Sequence, residues 1–251
     1  MIPFGGVVVA GEEVPPIVTA GLVMHLDAGD ANSWAGSGTW QDLVGGYDWV
    51  RNGPAFNGTV GGWSADEYFS FDDADDYFEQ AADWSGSIPR NLGRSDMAAT
   101  VEVWVWPDGT RAGPVDSLIG NTASPGNKSF QLEYFPNGNL RQGGYDGAGG
   151  FPATGAGIAL VSDRWNHIVC ATHPAATPAG FFLINGNKGN DIGHTQNWSS
   201  GDSTYRNRIG ASLTGSGWLK GRVAIVRIYG RLLTVNEARR NFQAQRGRFG
   251  V

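Results

Sequence analysis

The stretch FSFDDADDYFEQ, residues 69–80, places carboxylates at Asp72, Asp73, Asp75, Asp76 and Glu79, bracketed by aromatic side chains. Two unit charges about 5 Å apart in water repel by about 0.8 kcal/mol, so a cation or solvent must offset the cluster. Oxygen-rich ligand sets suit a hard cation such as calcium. The spacing departs from an EF-hand loop, which needs acids at alternate positions followed by glycine, and Tyr77 stands where that glycine belongs. Two readings satisfy the pattern. One is an irregular calcium site on Asp72, Asp75 and Asp76 with backbone carbonyls; the other is a solvated turn held by side-chain to backbone hydrogen bonds.

Other chemistries find little footing. There is no Gly-x-Ser-x-Gly elbow, and Cys170 lies in the apolar run WNHIVCAT, the setting of a buried inert thiol. His25, His167, His173 and His194 lack His-Glu-x-x-His spacing and any Cys/His cluster. The glycine-rich run at residues 143–150 has neither dinucleotide nor P-loop spacing and is expected to be a loop. Glycoside hydrolysis needs two carboxylates held at fixed separation. The same-face neighbours of Glu102 along its strand are Trp104 and Trp106, so the chain is expected not to be an enzyme.

The elements that would carry these residues are mostly short strands. Apolar or aromatic runs alternate with Gly, Asn, Asp and Ser punctuation, and 39 glycines with ten tryptophans suit many strands joined by tight turns. GLVMHLDA puts Leu22, Met24 and Leu26 on one face. TVEVWVWPDG alternates Val101, Val103 and Val105 with Glu102, Trp104 and Trp106 until Pro107 ends the strand. EYFSF and DYFEQA flank the acidic stretch, which is therefore expected to be a hairpin connection. Asn137-Gly138 marks a second hairpin by supplying positive φ angles. One helix is well marked near the C-terminus: Thr234 and Glu237 make a capping box, Val235, Ala238 and Phe242 share a face, and Arg246 and Arg248 suit the helix's negative end.

Net charge is −6, but residues 1–100 carry −12, residues 101–200 carry −2 and residues 201–251 carry +8. Either the two ends of the chain lie side by side and compensate, or the asymmetry serves a partner or other copies of the chain. The basic residues are spread through strands and a helix without a nucleic-acid module, so nucleic-acid binding is not expected. The single cysteine rules out an internal disulfide. Residues 1–20 carry no basic n-region and only a very short apolar run, and are expected to be an extended arm rather than a signal peptide or a membrane-inserted segment.

Taken in order, these segments resemble the laminin-G-like, concanavalin-A-like jelly-roll family. FDDADDYF resembles that family's Phe-Asp-Gly-x-Asp-Asp-Tyr segment, with Asp73 where glycine is usual. TVEVWVWPDG, RWNHIVCAT and FFLING followed by RIGAS are similar to its successive strands. GWLKGRVAIVRIYGRLLTVNEARRNF resembles its closing strand and final helix. The resemblance implies an all-β, two-sheet antiparallel jelly-roll sandwich with one short C-terminal helix, over residues 21–251. It implies carbohydrate or protein binding, with one calcium often at the rim. The opening GLVMHLDAGDANSW resembles lectin-like components of tailed bacteriophage particles. The expectation is a virion structural protein (head decoration, neck or tail fibre) made in the host cytoplasm and displayed on the virion surface, with weak adhesion to cell-surface glycans. The arm would anchor it to other virion proteins, and it could assemble as a homo-oligomer. The alternative is a stand-alone carbohydrate-binding lectin. Trp34, Trp40, Trp49, Trp63, Trp198 and Trp218 are the candidates for stacking on sugars, each of them equally suited to plugging the core.

Overall fold

Period-two alternation in the strand Ala99–Pro107 sends Val101, Val103 and Val105 into one apolar cluster and Trp104 and Trp106 into another, so both faces of the strand are covered. The computed structural model describes residues 14–94, 96–111, 113–121, 129–145, 153–173, 178–193, 206–212 and 217–251. In chain order the strands are β1 (Leu22–Asp27), β2 (Thr39–Trp40), β3 (Trp49–Asn52), β4 (Ala55–Asn57), β5 (Tyr68–Asp72) and β6 (Tyr77–Gln80). They continue with β7 (Ala99–Pro107), β8 (Asp116–Gly120), β9 (Gln131–Tyr134), β10 (Leu140–Gly143) and β11 (Ala153–Gly155). Next come β12 (Asn166–Thr172), β13 (Gly180–Ile184), β14 (Asn187–Ile192), β15 (Arg208–Ile209) and β16 (Lys220–Tyr229), followed by helix α1 (Val235–Phe249).

These strands form two eight-stranded antiparallel sheets, as the expected sandwich requires. The first runs β14-β13-β12-β7-β16-β5-β4, with β1 also paired to β16; the second runs β11-β10-β9-β8-β15-β6-β3-β2. β5 and β1 share one edge of β16, β5 along Lys220–Val223 and β1 along Ile225–Tyr229. Between the sheets, Val103, Ile168, Val226 and Phe69 from the first meet Phe78, Ile119, Leu132 and Ile209 from the second. Each such side chain removed from water contributes about 1.5–3 kcal/mol. Cys170 lies in this core, where burial pushes its thiol far above the usual range, in keeping with an inert thiol.

Helix α1 closes the outer face of the first sheet. Thr234 accepts from the Glu237 amide at 3.2 Å and Glu237 accepts from the Thr234 amide at 2.8 Å, completing the capping box, and Gly250 at φ 67° ends the helix. Ala238, Phe242 and Phe249 face the sheet, and the two phenylalanines stack on Trp104 with centroids 6.1 and 4.2 Å away. No helix among the described residues is long and apolar enough to cross a membrane.

The structure departs from the sequence expectation in three places. Leu22 does not share a face with Met24 and Leu26: the β1–β16 register shifts between Leu22 and Met24, turning Leu22 outward onto Tyr229 and Val18. The acidic stretch is not a hairpin, because β5 belongs to the first sheet and β6 to the second, so residues 73–76 cross the rim between sheets. Phe69 and Phe78 then meet from opposite sides of the core, centroids 4.8 Å apart. In the β9–β10 hairpin only Gly138 has positive φ, 84°, and its amide donates to Phe135 O at 3.0 Å, closing a turn around Pro136 and Asn137. Between the two roles left open for the tryptophans, Trp34, Trp40 and Trp49 take the core one and are fully buried, unavailable to a sugar.

The two ends of the chain meet as their opposite charges suggest. Arg248 of α1 pairs with Asp27 of β1, and Arg208 pairs with Glu79, both at 2.9 Å. Ahead of β1, the Val18 amide donates to Asn241 Oδ1 at 2.7 Å and Val18 O accepts from the Tyr229 hydroxyl at 3.0 Å, seating this part of the arm against β16 and α1. Residues 1–13 of the arm, His194, Trp198 and residues 146–150 of the glycine-rich run lie outside the described residues.

Candidate functional site

The acidic crossover is organised by its own backbone. Asp72 Oδ1 accepts from the Ala74 amide at 2.9 Å, and the Asp73 amide donates to Leu219 O at 3.1 Å. Asp73 adopts φ +71°, the left-handed conformation that a glycine takes without strain, so the turn keeps the shape glycine would give it although the residue differs. As a result, carboxylate oxygens of Asp72, Asp75 and Asp76 lie within 4.8 Å of one another. Asp76 is the buried member, and burial, then the charges of Asp72 and Asp75, push its carboxyl up to about 6. Gly53 makes room for it, since a Cβ there would sit 2.0 Å from Asp76 Oδ1. An all-oxygen set with one carboxylate held against ionisation fits a hard divalent cation, which would replace the proton and relieve the repulsion.

Glu102 lies in a different environment, under α1 on the outer face of the first sheet and wholly buried. Its Oε1 accepts from Arg227 Nη1 at 2.7 Å and lies 3.1 Å from His167 Nε2; its Oε2 accepts from Asn241 Nδ2 at 2.6 Å. Burial alone would raise this carboxyl, but the Arg227 charge, then His167 and Asn241, hold it down to about 2. A carboxyl held this low is ionised near neutral pH, and α1 covers it from solvent.

The second sheet turns a different surface outward. Phe78 and Ile209 point into the core, so Tyr77, Glu79 and Arg208 point away from it. The Arg208 guanidinium lies 4.2 Å from the Tyr77 ring centroid and bonds Glu79 Oε2 through Nε at 2.9 Å. Trp218, half-buried, lies beside Tyr77 with ring centroids 6.0 Å apart. A second ion pair, Arg141 with Glu133, continues the same face along β9 and β10. Aromatic faces bordered by fixed donors and acceptors are what a sugar's apolar and hydroxyl-bearing sides require. Tyr77 also follows Asp76 directly, so this surface abuts the acidic crossover. The alternation Tyr77, Glu79 against Phe78, Gln80 carried the signal for half of it; Arg208, from the far end of the chain, had no local one. Of the six tryptophans considered for sugar stacking, the described ones left accessible are Trp63, 52 % exposed, and Trp218.

Residues 80–239 match the concanavalin A-like lectin/glucanases superfamily. Among curated proteins, no sequence matches the chain. Among solved structures, it is similar to Trypanosoma rangeli sialidase in complex with sialic acid, with a TM-score of 0.63 at 18 % identity over 92 % of this chain and 36 % of that one. It is also similar to the binding domain of botulinum neurotoxin serotype D/C, with a TM-score of 0.63 at 9 % identity over 89 % of this chain and 52 % of that one. The chain thus spans about a third of the sialidase and about half of the neurotoxin domain, and what it shares with them is the fold.

Proposed function

Because the chain belongs to the concanavalin A-like lectin/glucanases superfamily, we propose that it is a non-enzymatic, lectin-like structural protein displayed on a virion and adhering weakly to host-surface glycans. The observation that carries the adhesive reading is the Tyr77–Trp218 pair, flanked by Arg208 and Glu79 on the sheet face turned away from α1. The fate of Glu102, ion-paired and sealed beneath α1, supports binding over hydrolysis. The virion reading rests on the opening GLVMHLDAGDANSW and its resemblance to phage particle components. Head decoration, neck and tail fibre are its candidate locations, with the arm, residues 1–20, as the anchor to other virion proteins. Many weakly binding copies on one particle would gain roughly 10² to 10⁴ in avidity.

Asp72, Asp75 and Asp76 would hold a calcium ion beside this surface, where the ion supplies charge neutralisation and open coordination positions. The experiment is particle purification with and without residues 1–20, alongside retention of the purified protein on neutral polysaccharide columns. Loss of incorporation with sugar retention intact supports the virion display. A protein that never copurifies with particles but is retained by sugar is the stand-alone lectin instead.

A further inference from the structure

His25 and Arg227 face one another across the β1–β16 ladder, on the sheet side covered by α1. Together with Arg248 of α1, Trp63 of the β4–β5 loop, Gln245 and the chain at residues 14–17, they line a cavity of about 350 Å³. The polar atoms here are unevenly used. Arg227 Nη1 donates to Glu102 and to Gln245 Oε1 at 3.0 Å; Arg248 Nη1 donates to both oxygens of Asp27 at 2.9 Å and its Nε to Ser64 O at 2.9 Å. Arg227 Nε and Nη2, Arg248 Nη2 and His25 Nε2 are buried without any hydrogen-bond partner among the described residues.

Four buried nitrogens without partners around one cavity are unusual, because each such group loses its hydration without compensation. Arg227 is held through Nη1 alone and keeps its Nε–Nη2 edge free, the planar fork that matches a carboxylate, whereas Arg248, held through Nη1 and Nε, keeps the single donor Nη2. Burial, then the Arg227 charge, keeps His25 well below the usual imidazole range, so its ring is neutral and can donate without adding charge. At the mouth, Trp63 is 52 % exposed with its ring 5.0 Å from the Arg248 guanidinium, an apolar plate beside the cationic floor. The volume is at the small end of ligand pockets, the size of a monosaccharide.

The geometry points to a second binding site, for a carboxylate-bearing ligand of monosaccharide size such as a uronic acid, gripped by Arg227, Arg248 and His25 and covered by Trp63. It lies on the opposite side of the sandwich from the Tyr77–Trp218 surface and stands independently of it.

The test is titration calorimetry of the full chain with glucuronate, glucose and sulfate. Glucuronate is expected to bind at one site in the millimolar range or tighter, and glucose not at all. Arg248→Lys, which keeps the charge facing Asp27 but loses the Nη2 donor, is expected to weaken glucuronate about tenfold, and Trp63→Ala, a surface change that leaves the core intact, to weaken it several-fold. Three results overturn the proposal: no heat with millimolar glucuronate, binding equal in both variants and the parent, or sulfate binding more tightly than glucuronate. Retention on neutral polysaccharide reports on the sheet surface, so the two readings fail separately.

Discussion

Arg227 Nη1 donates to Glu102 Oε1 across 2.7 Å at the centre of the first sheet, with both side chains wholly buried beneath α1. Each charge depends on the other and on the amide and hydroxyl groups of Asn241 and Tyr229. Removing one partner of such a pair typically costs about 3–5 kcal/mol, because the remaining charge is left uncompensated. Glu102→Ala is expected to lose that order of stability in denaturant unfolding, and Glu102→Gln, which keeps the shape and a hydrogen bond to Asn241, less. A Glu102→Ala midpoint equal to the parent's would show that the pair is not coupled to folding.

The same pair sets an acid limit. The Glu102 carboxyl is held at about 2 in the folded chain against an ordinary 4.5. The folded state therefore binds the proton less readily than the unfolded one, and the stabilisation is complete above pH 4.5 and lost as pH falls towards 2. It amounts to on the order of 3 kcal/mol. Unfolding free energies measured down this range should fall more steeply for the parent than for Glu102→Gln; parallel curves would exclude Glu102 as the source.

Asp76 titrates in the opposite sense. Its carboxyl is raised from 3.8 to about 6, so the metal-free folded chain holds that proton more tightly than the unfolded chain and loses stability as pH rises between those values. Asp76→Asn should flatten that loss. Calcium should raise the parent's melting midpoint more at pH 7.5 than at pH 5 and leave Asp76→Asn unmoved. A midpoint indifferent to calcium and chelator at both pH values would return the acidic crossover to a solvated turn.

Asp73 at φ +71° carries a strain of about 1–2 kcal/mol that glycine avoids. Burial raises the carboxyl of Asp116 to about 7 against the opposing Arg111 charge and Lys220 amide, and the charge of Asp73 adds a smaller upward push. Asp73→Gly should therefore stabilise the chain by up to about 1 kcal/mol after the greater entropy loss of glycine is counted. Destabilisation would mean that Asp73 makes a contact worth more than its strain.

Much of this architecture was legible in local pattern. Alternation in β7 assigns each valine and tryptophan to a face, and the Thr234–Glu237 spacing marks the start of α1, because both depend on residues a few positions apart. Partner choice does not. FSF and YF read as two arms of one hairpin, yet they belong to opposite sheets, since alternation reports which face is apolar and not which strand lies alongside. Leu22 left its expected face through a bulge in its pairing with a strand more than two hundred positions away, where it lies opposite Tyr229. The trio Asp72, Asp75 and Asp76 could be named from sequence because one turn supplies all three ligands. Arg208 beside Tyr77, and Arg227 opposite His25, required the fold to bring distant segments together.

Sugar binding by the Tyr77–Trp218 surface is measured by glycan-array binding of the parent against Tyr77→Ala and Trp218→Ala. Binding to neutral glycans is expected to fall about tenfold in each variant, the loss that one aromatic contact of about 1.5 kcal/mol carries, with melting temperatures near the parent's. Undiminished binding in both folded variants, or a parent that binds no glycan, would contradict it.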